Sequence, residues 1–413
     1  MTRVGRWSDF RRYWVGEALS NLGTRTGNIA YPLLALALTH SPAKAGLLAF
    51  SRSAAWFVLS LPAGAIVDRV DRKRLMIVCD LGSAVALATI VASFAVGTLT
   101  YWQLLAVALV QGVFALFFRV AEVGAVRHLV ADEDLPSAIA QNTARDSAAW
   151  LAGPPIGGIL YALHRFLPFA VDVVSYLASA AMLLSIRKPF HETREPRKWS
   201  ARAHGRDIRE GVTWLWTQPF LRTATLLVGG ANFVSNAVSL LLVVVVRQRG
   251  ASAPEIGFMM SFAAAGSVLG AIAANWLHRV VAPRAIVVGY PWLGAIAALT
   301  LALHLPPLAL GAVYGGWVFF GPTWDAVVGG HRIRIVPDIL QGRVESATGL
   351  VAFGGAALGP LVGGILASRL SGSEAFAVIG IAGAAVAVAG TAARSLTTLD
   401  RRVPAAVAEE AGS

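Results

Sequence analysis

Long apolar stretches recur along almost the whole chain and are separated by short polar connections. A helix needs about 20 residues to cross the ~30 Å of hydrocarbon in a bilayer, and twelve stretches of that kind are present. They are rich in Ala, Leu and Gly, and they lack the ~10-residue alternation of membrane barrels. The pattern predicts an all-α membrane protein with twelve transmembrane helices, at residues 13–38, 45–66, 75–97, 101–126, 136–162, 166–186, 222–246, 255–278, 285–304, 307–328, 341–368 and 374–394.

One polar connection, from about residue 187 to 222, is much longer than the others and follows the sixth span. It is rich in Arg and Lys, and we interpret it as a solvated cytoplasmic linker. Residues 207–216 also fit a helix lying along the membrane surface. The predicted organisation is an N-terminal six-helix half at 1–188, a basic linker at 189–219, a C-terminal six-helix half at 220–396 and a cytoplasmic tail at 397–413.

Two short motifs recur in both halves at the same separation. Gly-Pro-Pro-Ile-Gly-Gly begins at Gly153 and Gly-Pro-Leu-Val-Gly-Gly begins at Gly359, 206 residues later. Gly-Ala-Ile begins at Gly64 and again at Gly270, also 206 residues later. Six helices separate each pair, so the halves are predicted to be parallel repeats. A substrate site near the bilayer midplane, between the halves, is expected for such folds.

Composition excludes several classes of protein. A content of 56% hydrophobic and 14% charged residues, with a mean hydropathy of +0.63, excludes a soluble protein of 413 residues. The single cysteine, Cys79, excludes an intramolecular disulfide framework. No phosphate-binding loop is present, and the eight histidines lack metal-ligand spacing. We therefore expect no enzyme activity, no metal and no cofactor, and an ion gradient as the driving force.

The net charge of +12 comes from connections on one side of the predicted membrane, together with both termini. By the positive-inside rule that side is cytoplasmic, and the protein is expected to be a multi-pass inner-membrane protein with both termini in the cytoplasm. Nucleic acid is not an expected partner, because the basic residues fit this topology. The opposite side holds only Lys44, Arg165, Arg247, Arg249 and Arg369.

A dense cluster of charge lies between spans two and three, with six charged residues among the seven from Asp68 to Arg74. Gly64, just before it, is expected to let two helices approach closely. Asp68 and Arg72 are four residues apart and share a helical face. Asp68 is expected to face the positive end of the eleventh span, and Glu122 is expected to pair with Arg72. The alternative is that these charges only set topology.

Polar side chains inside the spans are candidates for the translocation path, because charge in hydrocarbon is costly unless it faces a cavity or a partner. Span one carries four on one face, namely Glu17, Asn21, Arg25 and Asn28. Glu17, with Arg25 nearby, is expected to carry or modulate a proton, although a structural polar seam is the alternative. Adjacent Arg145 and Asp146 are not expected to form a simple pair. Further candidates are Arg52, Asn142, Arg145, Asp146, Asp172, Asn232, Asn236 and Asp325.

The repeated Gly-Pro motif has its own physical interpretation. Proline frees a backbone carbonyl and bends a helix, and glycines let neighbouring helices pack across the bend. Ordinary packing of small residues is the alternative interpretation. The residues concerned are Gly153, Pro154, Gly157 and Gly158 in the first half, and Gly359, Pro360, Gly363 and Gly364 in the second.

These motifs resemble those of the major facilitator superfamily. The charged loop matches the signature Gly-x-x-x-Asp-Arg-x-x-Arg-Lys through Gly64, Asp68, Arg69, Arg72 and Lys73. Asp71 in place of glycine is similar to the drug-efflux and siderophore-exporter branch, which includes macrolide efflux proteins and the enterobactin exporter. The fifth-span motif is similar to that of outward-working antiporters. The resemblance implies the major facilitator fold, export by proton exchange, and loop contacts that hold the outward-facing state shut on the cytoplasmic side.

One position departs from the family pattern. Exporters of this kind carry an arginine three residues before Gln-Gly in the fourth span, where this chain has Ala108 before Gln111 and Gly112. The leading hypothesis is a monomeric exporter of a small amphipathic compound such as a drug, siderophore or secondary metabolite, with protons and the lipid bilayer as its other partners. The missing arginine favours an importer or facilitator as the alternative. A transporter-like scaffold or sensor is the third hypothesis.

The charged loop gives a direct test. We expect Asp68→Asn to impair transport while expression and membrane insertion stay largely intact, because the carboxylate acts in gating. Transport is measured in vesicles, and insertion by membrane fractionation. Normal transport by the variant would show that the charges only set topology.

Overall fold

The computed structural model describes residues 3–188, 190 and 201–400. Parts of two predicted segments lie outside the described residues: positions 189 and 191–200 of the linker, and positions 401–413 of the tail. Within the described part, eight helices are long and apolar enough to cross a membrane, and no strand is present. The helices are α1 (Arg3–Thr39), α2 (Pro42–Val67), α3 (Arg72–Ala95), α4 (Tyr101–Leu129), α5 (Leu135–Leu163), α6 (Leu167–Ser185), α7 (Ala201–Thr217), α8 (Pro219–Gln248), α9 (Ala253–Val280), α10 (Pro283–Leu301), α11 (Pro307–Val318), α12 (Gly321–Ile335), α13 (Asp338–Arg369) and α14 (Gly372–Ala392).

Every predicted span overlaps a helix, and most ends agree within a few residues. The first helix begins ten residues earlier than predicted, because Phe10 and Tyr13 on its first turns are buried. The tenth predicted span is broken, since α11 ends at Val318 and α12 begins at Gly321. Pro322 lies in the first turn of α12, where its missing N–H cannot continue a helix from α11. The helices are compatible with twelve crossings.

The same helix neighbours recur in the two halves, as expected for parallel repeats. α1 packs on α5 and α6, and α8 packs on α13 and α14. α2 packs on α4, and α9 packs on α11. Glycines of the repeated motif allow this packing, because a Cβ on Gly157 would lie 2.3 Å from the carbonyl oxygen of Thr26 in α1. A Cβ on Gly359 would lie 2.4 Å from the carbonyl oxygen of Phe233 in α8.

The two halves meet through α2 against α13 and α5 against α9. A Cβ on Gly158 would lie 2.4 Å from the carbonyl oxygen of Ala253, and one on Gly364 would lie 2.6 Å from that of Pro42. We call the end of the molecule where α1 begins and α14 ends the terminus-bearing end. The contacts at Gly158 and Gly364 lie at the opposite end, which we call the far end. Backbone thus packs directly on backbone across the far end, and only glycine fits there.

The cleft between the halves opens toward the terminus-bearing end. Trp56 of α2 lies against Phe353 of α13, with ring centroids 5.5 Å apart, and Phe57 contacts Gly354. Gly64 lies seven residues beyond Phe57 on the same face of α2, yet a Cβ there would meet no atom within 4 Å. The close helix approach expected at Gly64 is therefore absent in this conformation, because α2 and α13 have already diverged.

Helix α7 covers the segment for which a surface helix was considered, and it packs on the second half. Its Leu215 is buried, and a Cβ on Gly211 would lie 2.7 Å from the carbonyl oxygen of Arg343 at the start of α13. Glu210 also accepts a hydrogen bond of 2.7 Å from Arg343. The second part of the predicted linker is thus a docked helix rather than a solvated chain.

The far-end contacts predict an effect on stability. Gly364→Ala should lower the midpoint of thermal unfolding in detergent, because overpacking typically costs about 1–3 kcal/mol. Gly316→Ala is the matched control, since a Cβ there meets no atom within 4 Å and replacing a helical glycine by alanine gains about 0.5–1 kcal/mol. Equal melting of the two variants would contradict the packing described here.

Candidate functional site

A cavity of about 360 Å³ lies between the halves, and we call it the central cavity. Helices α1, α2, α4 and α5 of the first half and α8, α9 and α13 of the second contribute to its wall. Its charged lining residues are Arg25 and Arg52. The other polar and aromatic lining residues are Asn28, Tyr31, Ser53, Trp150, Asn236 and Ser239.

Arg52 projects into the central cavity from α2. It donates a hydrogen bond to Asn28 Oδ1, and its guanidinium lies 5.5 Å from the centre of the Tyr31 ring. Its backbone is held against α4, because a Cβ on Gly112 would lie 2.2 Å from the Arg52 carbonyl oxygen. Ala108, the position where the family pattern has arginine, lines the same cavity. The cavity thus has an arginine, but it comes from α2 instead of α4.

A second cavity of about 310 Å³ lies within the first half, and we call it the N-half chamber. Arg25 lines both this chamber and the central cavity. The two sites are therefore adjacent and share one guanidinium. The remaining charged residues of the N-half chamber are Glu17, Asp80, Arg119, Glu122 and Asp146.

Two buried carboxylates line the N-half chamber, Glu17 of α1 and Asp80 of α3. Ser179 of α6 donates a 3.3 Å hydrogen bond to Glu17. Asp80 is 1% exposed, and its Oδ2 has no hydrogen-bond partner among the described residues. Arg25 was expected to lie near Glu17, but it is two helical turns further along α1, and no arginine or lysine forms a salt bridge with Glu17 among the described residues.

Asp80 was not among the residues selected from the sequence. It is a lone carboxylate within the apolar run of the third span, and that isolation was the available signal. Asp172, which was selected, is buried near the same region and accepts hydrogen bonds from Ser175 and Thr24. Three helices of the first half, α1, α3 and α6, thus each bury a carboxylate.

Glu122 lies at the centre of an ion-pair network in the first half. It accepts hydrogen bonds from Tyr13 at 2.5 Å, from Arg119 at 2.7 Å and from Arg145 at 3.1 Å. Arg145, whose side chain is 2% exposed, also bonds Asp146 at 2.8 Å. The network joins α1, α4 and α5 and accounts for the buried charge of Arg145.

Two predicted pairings were wrong for this conformation. Glu122 does not pair with Arg72. The Arg72 guanidinium lies against Gly124 of α4, and Glu122 is roughly on the opposite side of that helix, where it meets Arg145. Arg72 bonds Asp68 instead, at 3.1 Å. Adjacent Arg145 and Asp146 do pair, because the long arginine side chain bends back until Nε and Nη2 both reach the carboxylate.

The other predicted residues are dispersed. In the charged loop, Asp68 is 72% exposed, and Lys73 donates to the carbonyl oxygen of Ile186. Asn236 lines the central cavity, whereas Asn21 lines the N-half chamber and bonds Asp146 at 2.8 Å. Asn142, Asn232 and Asp325 line neither cavity. Asn142 has a buried Oδ1 with no hydrogen-bond partner in the described chain, and Asn232 donates a hydrogen bond to the carbonyl oxygen of Val228. Asp325 is exposed on α12.

The family of the chain follows from a model of related sequences. The model described as transmembrane secretion effector matches residues 6–408, which is nearly the whole chain. The chain belongs to this family of the major facilitator superfamily. Its family and relatives are transporters rather than enzymes.

Curated relatives match over most of their lengths. An uncharacterized transporter of this superfamily, YfiS of Bacillus subtilis, is 27% identical over 387 residues, covering 88% of each chain. The multidrug efflux pump Tap of Mycolicibacterium fortuitum is 24% identical and covers 82% of this chain and 84% of the relative. The enterobactin exporter EntS of Escherichia coli is 25% identical and covers 74% and 72%. The predicted exporter branch is confirmed at the level of similarity to these proteins.

Solved structures share the fold. A bacterial homologue of the iron transporter ferroportin in an inward-facing state aligns with a TM-score of 0.70 and 16% identity, covering 96% of this chain and 99% of that one. At this identity the likeness shows the fold alone. The chain therefore has the predicted major facilitator fold.

The Glu122 network predicts a large effect of removing one charge. Glu122→Gln should destabilise the protein by about 1.5–3 kcal/mol, because it removes one of the two carboxylates that neutralise the buried Arg145. Glu210→Gln is the matched control, since its pair with Arg343 is largely exposed and worth about 1 kcal/mol or less. Thermal unfolding in detergent measures both. Comparable losses in the two variants would contradict the central place of Glu122.

Proposed function

We propose that this protein is a secondary active exporter that moves small amphipathic organic compounds outward in exchange for protons. The observation that carries the proposal is the pair of buried carboxylates, Glu17 and Asp80, in a chamber that shares Arg25 with the central cavity. A carboxylate in a membrane interior is costly unless it has a function or a partner. A proton site next to a substrate site is what coupled exchange requires.

The transport cycle follows from the two ends of the cleft. We assign the terminus-bearing end to the cytoplasm, because it carries most of the basic loops. The conformation described above is then open to the cytoplasm and closed outside by Gly158 against Ala253 and Gly364 against Pro42. Rocking the six-helix halves about the central cavity separates these contacts and brings α2 and α13 together at the cytoplasmic end.

The charged loop acts as the cytoplasmic latch in this proposal. Asp68 lies in the turn between α2 and α3 rather than on a shared helical face with Arg72. Its exposed side chain bonds only Arg72 among the described residues, and Gly64 faces open space. Both features fit a latch that is released. When the cytoplasmic end closes, Gly64 permits close approach of α13, and Asp68 reaches the positive N-terminal end of that helix.

The coupling residues are assigned by their position. Glu17 and Asp80 exchange a proton with water in the N-half chamber, which both side chains line, and Ser179 orients Glu17. Arg25 lies between them and the central cavity, so its charge responds to both sites. Substrate binding and proton binding are thereby coupled through one shared electrostatic neighbour.

Two observations support the outward direction. The curated relatives include a multidrug efflux pump and an enterobactin exporter. Arg52 supplies a cation beside Ala108, so the missing fourth-span arginine no longer favours an importer. The protein acts as a monomer in the cytoplasmic membrane in this proposal.

Inverted vesicles test the function as a whole. A panel of drugs, siderophores and secondary metabolites is offered, and accumulation is measured with and without a protonophore. Accumulation that collapses with the proton gradient supports antiport. Gradient-insensitive movement would reject proton coupling and favour a facilitator, and no movement of any compound would favour a scaffold or sensor.

The proton assignment makes a sharper prediction. Glu17→Gln and Asp80→Asn should each remove most gradient-driven accumulation but retain counterflow exchange of the same compound, because exchange needs no net proton movement. Asp132→Asn is the matched control, since this exposed carboxylate lies in the connection between α4 and α5, outside both cavities, and the variant should behave as the unmodified protein does. Gradient-driven accumulation that survives in both variants would place the proton site elsewhere.

A further inference from the structure

The central cavity holds two guanidinium groups and no carboxylate among its described lining residues. Neither Arg25 nor Arg52 lies within 4.0 Å of a carboxylate oxygen in the part of the chain that the structure describes. The carboxylates that act on them from further away are Asp146 and Asp172. Asp146 bonds Arg145 and Asn21, and Asp172 bonds Ser175 and Thr24, so both have closer partners.

Two arginines in one cavity within a membrane protein need an explanation. An arginine stays charged in proteins, so these two groups cannot reduce their repulsion by losing a proton. Unpaired charge in an apolar setting is costly, and elsewhere in this protein it is neutralised, as Arg145 is by Glu122 and Asp146. The central cavity is the place where neutralisation is left to something that enters it.

We infer that the central cavity binds organic anions, with an oxyanion group held between Arg25 and Arg52 and an apolar body against the remaining wall. The inference rests on the proposed transport function and names its substrate class. Planar guanidinium groups match carboxylate-like oxygens with paired hydrogen bonds. The apolar body has Trp150, Leu240 and Met260 to contact, in a volume of about 360 Å³.

The backbone positions of both arginines are fixed before any ligand binds. A Cβ on Gly153 of α5 would lie 2.3 Å from Arg25 Cβ, and Gly112 of α4 holds the Arg52 backbone equally closely. Asn28 and the Tyr31 ring further orient the Arg52 guanidinium. Preorganised groups lose less entropy on binding, so this arrangement is that of a binding site rather than of a loose charged patch.

Equilibrium binding to the purified protein in nanodiscs of uncharged lipid tests the inference. Three naphthalene probes of nearly equal size serve as ligands: 2-naphthoate, 2-naphthamide and 2-naphthylmethylammonium. Binding is followed by isothermal titration calorimetry at pH 7 without any gradient. We expect 2-naphthoate to bind at least about tenfold more tightly than the amide, since charge-assisted hydrogen bonds exceed neutral ones by this order. The ammonium probe should bind most weakly.

Variants assign the preference to residues. Arg25→Gln and Arg52→Gln should each reduce the carboxylate-to-amide ratio severalfold while amide binding persists, which also shows that the cavity remains folded. Arg52→Lys should retain part of the ratio, and Arg369→Gln, an exposed arginine at the far end of α13, should leave it unchanged.

Equal binding of acid and amide, an unchanged ratio in both glutamine variants, or no binding of any probe would overturn the inference. Because no gradient is used, failure of proton coupling in vesicles would leave this result intact. Conversely, loss of the anion preference would leave the vesicle assay intact.

Discussion

Close approach of helix backbones is the constraint on which the rest of this structure depends. Helices in hydrocarbon gain little from burying apolar side chains against one another, so their association relies on tight packing. Here that packing occurs at glycines, both within the halves, as at Gly157 against Thr26, and between them, as at Gly158 against Ala253. The same glycine spacing that builds each half therefore also closes the far end of the cleft.

The polar interior is organised around this packing. Gly153 and Gly112 bring Arg25 and Arg52 close to neighbouring helices, and the space left between the halves becomes the central cavity. Inside the first half, Arg145 is matched to Glu122 and Asp146. Glu17 and Asp80 of the N-half chamber, and Arg25 and Arg52 of the central cavity, form no ion pair among the described residues. This difference separates residues that hold the fold from residues available to a ligand or a proton.

Much of the fold could be predicted from the sequence, because membrane thickness sets the length of an apolar run and the repeat sets its arrangement. The break at Phe319 and Phe320 was missed, since hydropathy continues through it and only Pro322 indicates it. How the candidate residues group in space could not be predicted. Asn21, Arg25 and Arg52 line cavities, but spacing along one helix could not show that Glu122 meets Tyr13 and Arg145 on two other helices.

Among the described lining residues of the two cavities, all charged residues belong to helices α1 to α5. The second half contributes only neutral side chains, such as Asn236, Ser239 and Met260. The charged groups of both cavities therefore lie in one half, and the other half supplies only part of the neutral wall. Substitutions in the neutral wall can alter which compounds fit without disturbing the charges opposite. In the proposed mechanism, substrate range varies through the second half while proton coupling stays in the first.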